Sequence, residues 1–242
     1  KNYKIEGMSE QSERENMVWQ QQILMEMLNE MPIIQLVLDR VEADDIIAMI
    51  TQSPKYRGWQ KVIISSDKDF LQLLDSETVL YRPIQKKAWT KKTVIDEYGI
   101  SPENFVIARA IAGDKSDNLA GIKGAGLPTI AKRLAFLCED KMHTLDSVYD
   151  HCANTDSKIK FFERIVEGWD TVELNYKVMN LTPPSISVQG HQKINYILDN
   201  FEFELNGTGL KCCSVEHGFG SYDWSELMAM LRGIVEKNKQ VA

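Results

Sequence analysis

The chain has 242 residues, 43% apolar and 26% charged, with a net charge of −7, a globular composition sufficient for one large domain or two small ones. No apolar run approaches the roughly 18 residues of a membrane span, and no apolar core follows Lys1-Asn2-Tyr3-Lys4, so neither a transmembrane helix nor a secretory signal peptide is expected. Cys138, Cys152, Cys212 and Cys213 form no C-x-x-C pair, which argues against a zinc ribbon and for reduced thiols in a cytoplasm.

Residues 1–16 are polar and read as a mobile lead-in. Met17, Leu24, Met27, Leu28 and Met31 follow near helical spacing, and Pro32 ends that helix. IIQLVL (33–38) reads as a buried strand, followed by a helix from about Ala43 to Thr51, broken at Ser53-Pro54 and Gly58. KVIISS (61–66) reads as a second buried strand, DFLQLL (69–74) as the start of a helix, and TVLYRP (78–83) as a third strand. Alternating strands and helices predict an α/β fold, a parallel sheet with flanking helices. Beyond about residue 92 the pattern is helical: TVIDEYG, ENFVIARAIAG, LPTIAKRLAFL and 144–180. Pro183-Pro184 marks a turn. Helices are expected at 191–204 and 222–235, separated by a glycine-rich segment with strand-like pieces. The expected domains are 1–92, an α/β core portion; 93–182, a helical subdomain; and 183–242, a mixed segment packing on the core.

Three acidic clusters stand out: Glu42-Ala43-Asp44-Asp45, Asp67-Lys68-Asp69 and Asp114-Lys115-Ser116-Asp117. The first two follow predicted strands, and ligands gather at the carboxyl ends of parallel strands. Glu42 and Asp45 share a helix face, where the helix N-terminus partly offsets their charge. Two unit charges 4 Å apart repel by about 4 kcal/mol at an effective dielectric near 20, so convergent carboxylates call for a counter-ion. All-oxygen donors suit Mg²⁺ or Mn²⁺. The plainer alternative is that these acids cap helices.

Between Tyr81 and Arg133 ten basic residues face five acids, a positive stretch inside an acidic chain. It is either a solvated face or a polyanion-binding one. Gly121-Ile122-Lys123-Gly124-Ala125-Gly126 lies between two predicted helices. Its glycines would let the backbone approach a phosphate, with Lys123, Lys132 and Arg133 adding charge. His143, His151, His191 and His217 show no metal-ligand spacing and read as surface or structural.

VEADD (41–45), SSDKDF (65–70), GDKSDN (113–118) and GIKGAG (121–126), in that order and spacing, resemble the flap endonuclease and 5′–3′ exonuclease family over residues 33–137, with a flavour closest to bacteriophage 5′-nucleases of the RNase H type. ELNYKVMNL before Pro183-Pro184 is similar more loosely. The resemblance implies a metal-dependent 5′-nuclease with two Mg²⁺ or Mn²⁺ ions. Glu42 and Asp44 would be ligands of one ion, with Asp45 supporting, and Asp67 and Asp69 would hold or bridge toward the second. Asp114 and Asp117 would be its outer ligands, often through water. Glu42, Asp44, Asp67 and Asp69 would be the catalytic set. A helix–three-turn–helix would grip duplex backbone through Lys115, Gly121, Lys123, Gly124, Gly126, Thr129, Lys132 and Arg133, with a potassium ion on backbone carbonyls.

Two departures matter. Pro128-Thr129-Ile130 stands where the family has Lys-Thr-Ala, so Lys132 or Arg133 would substitute for a phosphate-binding lysine. The family also has an earlier strand ending in a metal-binding Asp, and another Asp after it, neither found upstream of Glu42. Upstream sequence is therefore expected to be missing, Tyr3-Lys4 would be an arch remnant, the edges beside an absent strand would be exposed, and the chain by itself would be poorly active.

The implied activity is phosphodiester hydrolysis near duplex–single-strand junctions of DNA or RNA–DNA. The expected protein is a cytoplasmic monomer in a bacterium or phage-infected host, with replication proteins as partners and no membrane. The alternatives are a catalytically defective DNA-binding fragment and a phosphotransferase or phosphatase using clustered Asp residues.

Overall fold

The computed structural model describes residues 9–157 and 159–241; the Tyr3-Lys4 segment lies outside them. In chain order the elements are α1 (Glu10–Asn29), α2 (Ala43–Gln52), β1 (Lys61–Ile64), β2 (Thr78–Arg82), β3 (Lys87–Trp89), α3 (Lys91–Tyr98), α4 (Pro102–Ala112), α5 (Leu127–Arg133), α6 (Leu145–Asn154), α7 (Lys160–Glu167), α8 (Trp169–Met179), α9 (Val188–Asn200), α10 (Gly207–Glu216) and α11 (Ser225–Val241). The chain divides into two compact units, one of residues 39–186 and one joining the stretch up to Leu38 with that from Ser187 onward.

The larger unit holds the sheet. β1 and β2 are parallel, with Ile63 opposite Leu80, as the alternating pattern predicts. β3 is antiparallel to β2, with Leu80 opposite Trp89, so the sheet is mixed rather than wholly parallel. A tight turn at Pro83–Lys86, closed by the Lys86 N–H on the Pro83 carbonyl at 3.3 Å, allows the reversal. The expected helix after β1 is a 3₁₀ turn over Asp69–Leu73. Ile63, Phe70, Leu71, Leu80 and Trp89 join Phe105, Ile107 and Ile111 of α4, Ile130 of α5 and Val172 of α8 in one core. β1 and β3 are the two edges of the sheet. On β1, Val62 and Ile64 are 54% and 70% exposed, an open apolar face on an edge strand.

Asn175 of α8 ties the helices behind the site together. It is 1% exposed, and its Nδ2 donates to the carbonyls of Ala110 and Ala120, both at 2.8 Å. Ala110 lies on α4, and Ala120 follows the loop that carries Asp114 and Asp117. Asn175→Ala leaves both carbonyls without this donor and is expected to cost about 2 kcal/mol. A lowered urea midpoint with an unchanged m-value would show it.

The smaller unit is helical. Ile23 and Met27 of α1, Leu210 of α10, and Met228 and Leu231 of α11 form its buried cluster. α1 starts at Glu10, where the Ser9 hydroxyl accepts from the Ser12 N–H at 3.2 Å. Residues 10–16 are thus helical rather than part of a mobile lead-in.

Two expected strand regions are not strands. Residues 33–38 have no strand partner and adopt an irregular conformation. Val37 is 72% exposed, and Gln35 turns back on α1, donating to the Met25 carbonyl at 3.0 Å and to Asn29 Oδ1 at 2.7 Å. A short apolar run cannot by itself show that a strand will pair with it. The glycine-rich stretch after 206 contains α10. A Cβ at Gly207 would lie 2.4 Å from Met228, and one at Gly209 would lie 2.2 Å from the Glu30 carboxylate. These glycines serve close packing, which in sequence looks the same as a loop signal.

Candidate metal centre

The site forms where β1 ends. The Asp67 N–H donates to Ser65 Oγ at 3.1 Å, and Asp67 Oδ1 accepts from the Asp69 N–H at 2.8 Å. These short-range bonds turn the chain sharply after the strand. Arg82 of β2 braces the turn from below, donating to the Ser66 carbonyl at 2.7 Å.

Glu42 is the residue before α2, where acids commonly cap. Its side chain makes no capping hydrogen bond, so helix capping does not account for it. Asp44 carries the clearest electrostatic signature. Burial raises its pKa first, and then Asp67, Glu42, Asp45 and Asp117 raise it further. Carboxylates from three separate segments thus converge on one locus. Asp45 Oδ1 accepts from the Ser185 N–H at 2.6 Å, which makes it a strut between α2 and the segment after the prolines. Among the described residues, no ion pair neutralises Glu42, Asp44, Asp67 or Asp117.

Asp69 and Asp114 are different. Arg109 of α4 donates through Nη2 to Asp69 Oδ1 at 2.7 Å and to Asp114 Oδ2, with the three side chains only 12%, 19% and 13% exposed. Burial works to raise the pKa of Asp114, but the Ser116 hydroxyl and N–H, together with Arg109, bring it below the usual carboxylate value. For Asp69 burial comes first and outweighs Arg109, with Asp67 and Asp114 adding to the upward shift. Arg109 was one of ten basic residues in the positive stretch. Its position five residues before Asp114 gave no sign of a bridge, because Asp69 reaches it from another element.

The 113–118 loop is closed by backbone pairing. Asp114 and Leu119 exchange backbone hydrogen bonds at 2.9 and 2.7 Å. Gly113 has φ +75°, and a Cβ on Gly121 would lie 1.8 Å from the Ala112 carbonyl oxygen, so both positions need glycine. At the glycine turn Gly124 has φ +81°, and the Lys123 carbonyl accepts from Arg164 at 3.3 Å. Gly126 is the N-cap of α5, which has only seven residues before a 3₁₀ turn, shorter than the expected LPTIAKRLAFL helix. Lys115, Gly121, Lys123, Gly124, Gly126, Lys132 and Arg133 are exposed, and Thr129 is half-buried.

The Glu42, Asp44, Asp67 and Asp117 donors are all carboxylate oxygens, hard ligands that fit Mg²⁺ or Mn²⁺. Among the described residues, these acids do not bring three ligand atoms within 4.8 Å of one another. Mutual repulsion favours such spacing, and side-chain rotation would draw them onto an ion.

The larger unit is thus a mixed α/β core with an acidic cluster beyond the end of β1. The description "5′-3′ exonuclease, N-terminal resolvase-like domain" matches residues 1–99. A 5′-3′ exonuclease of Aquifex aeolicus is 32% identical over 146 residues, covering 60% of this chain and 47% of that protein. DNA polymerase I of Streptococcus pneumoniae is 37% identical over 115 residues, 45% of this chain and 13% of that one. Among solved structures, the T5 D15 protein co-crystallised with metal ions aligns with a TM-score of 0.53 at 20% identity over 69% of this chain and 62% of that chain. The T5 5′-exonuclease with bound zinc aligns with a TM-score of 0.57 at 17% identity over 87% and 71%. The resemblance to the flap endonuclease and 5′–3′ exonuclease family is borne out, and the fold is that of the T5 enzyme. The chain spans about half the length of the Aquifex relative.

Proposed function

We propose that this protein is a metal-dependent 5′-nuclease hydrolysing phosphodiesters near duplex–single-strand junctions of DNA or RNA–DNA. The observation that carries this reading is the convergence of acids from three segments, Glu42 with Asp44, Asp67 and Asp117, near enough for their charges, added to burial, to raise the pKa of Asp44. Two divalent ions, Mg²⁺ or Mn²⁺, would supply a bound water of lowered pKa and charge stabilisation for the departing 3′ oxygen. Glu42, Asp44 and Asp67 would hold the first of them, supported by Asp45. Asp67, with Asp69, Asp114 and Asp117 further out, would hold the second. Arg109 positions Asp69 and Asp114 at that edge. Hydrolysis breaks the P–O3′ bond and leaves a 5′-phosphate and a 3′-hydroxyl.

Residues 93–182 are proposed as the nucleic-acid-binding part. Lys115, Lys123, Lys132 and Arg133 would contact backbone phosphates, with Gly121, Gly124, Gly126 and Thr129 shaping the turn. The Lys123 carbonyl is already engaged by Arg164, so a potassium ion there would use the other carbonyls of the turn. Action as a monomer beside replication proteins, in a bacterial or phage-infected cytoplasm, belongs to the same proposal. Among the described residues, no helix is long and apolar enough to cross a membrane.

The Arg109 bridge favours one rival, a DNA-binding chain without catalysis, because it neutralises two of the expected metal ligands. A duplex with a labelled 5′ flap separates the two. The nuclease reading expects cleavage with Mg²⁺, none with EDTA, and binding that weakens steeply with salt. Duplex binding without cleavage in Mg²⁺ or Mn²⁺, persisting in a longer chain that carries the two upstream aspartates, would establish the rival.

A further inference from the structure

The smaller unit contains a second ligand cluster of different chemistry. We propose that Glu26, Cys213 and His217 form a zinc-type site that clips α1 to α10. Their ligand atoms all lie within 4.8 Å of one another, the one such group among the described residues. His217 Nε2 lies 3.3 Å from Glu26 Oε2. Cys213 and His217 are four residues apart and so fall on one side of the helix end, with the His217 N–H bonded to the Cys213 carbonyl at 3.1 Å. The Trp19 ring meets the imidazole edge-on, with ring centroids 6.2 Å apart.

Donor chemistry selects the ion. A thiolate, an imidazole and a carboxylate suit Zn²⁺, whereas Mg²⁺ prefers oxygen alone. Tetrahedral bonds of about 2.0–2.3 Å place ligand atoms roughly 3.5 Å apart, so a small inward rotation of side chains completes the geometry. Glu26 is exposed, while Cys213 and His217 are half-buried, which leaves a solvent-facing position for water or for Glu30, one turn along α1.

The unit has a reason to use such a clip. Its buried apolar cluster is Ile23, Met27, Leu210, Met228 and Leu231, a small core of the kind that metal ligation supplements. The site is structural, and Cys212, exposed beside Cys213, takes no part.

The test uses the full chain in excess Mg²⁺, which occupies the carboxylate centre and isolates the second site. Zn²⁺ is expected to bind at one equivalent and to raise the melting temperature. Co²⁺ is expected to show a thiolate-to-metal charge-transfer band. Cys213→Ser should abolish the band, and Cys213→Ser or His217→Ala should weaken Zn²⁺ binding about 100-fold or more, as expected for losing a direct ligand. Cys212→Ser should change neither. The proposal is overturned if folded wild-type protein shows no thiolate band, or if the band and affinity survive Cys213→Ser. The cluster is then only the Glu26–His217 ion pair. Flap cleavage plays no part in this readout, so its outcome is independent of the nuclease reading.

Discussion

Asp44→Asn is expected to reduce Mg²⁺-dependent cleavage by about a thousandfold or more, equivalent to roughly 4 kcal/mol of transition-state stabilisation, while making the metal-free protein more stable. The pKa of Asp44 is raised by burial and then by Asp67, Glu42, Asp45 and Asp117. A carboxyl whose folded pKa lies above its unfolded value favours folding in its protonated form. That contribution is fully present below the unfolded pKa and is lost as pH rises through the folded one. At neutral pH the ionised side chain therefore opposes folding in the absence of a cation. The site is partly exposed and water screens these repulsions, so removing the charge should relieve only a fraction of about 1 kcal/mol and raise Tm slightly. Mg²⁺ should raise the melting temperature of the wild type and barely move that of the variant. Melts in EDTA and in Mg²⁺ read both quantities. A variant no more stable than wild type in EDTA, yet still shifted by Mg²⁺, would place the ion elsewhere. Protons compete with the ion for the same carboxylates, so the Mg²⁺-induced shift of the wild type should shrink as pH falls through the raised Asp44 pKa.

Arg109→Met is expected to destabilise the larger unit by about 3 kcal/mol, because it leaves two largely buried carboxylates uncompensated. Asp69 and Asp114 approach the same guanidinium nitrogen from different elements. The lowered pKa of Asp114 means that its contribution is present above the unfolded carboxylate value and lost as pH falls through the folded one. The penalty of the variant should therefore be full at pH 7 and fade toward acid, where the stranded carboxylates protonate. Asp69→Asn in the same background should restore part of the loss at pH 7. Urea unfolding at neutral and acid pH checks these outcomes. A penalty that does not vary with pH would mean that Arg109 acts through its packing alone.

The two variants separate two uses of acidic residues that look alike in sequence. Asp44 and Asp69 both sit in short Asp-rich strings, and the resemblance places both among metal ligands. The structure gives Asp69 an arginine and leaves Asp44 facing other acids. Pairing is a property of neighbours in space, and no spacing along the chain announces it.

Local periodicity by itself determined where β1, β2, α2, α3 and α4 lie, because amphipathic and apolar runs of adequate length leave few alternatives. It also determined that Asp67 follows a strand. The acidic strings and the glycine turn were legible for the same reason: each is contiguous. Only the tertiary structure decided that residues 33–38 are not a strand, since strand formation depends on a partner edge that the run does not encode. It also decided that Gly207 and Gly209 sit inside a helix, where Met228 and Glu30 take the room a side chain would need. The Arg109 bridge and the Glu26–Cys213–His217 cluster were likewise beyond reach of the linear reading. Each joins side chains from helices or turns far apart in the chain, and a donor set becomes visible only when packing has brought its members within a few ångströms.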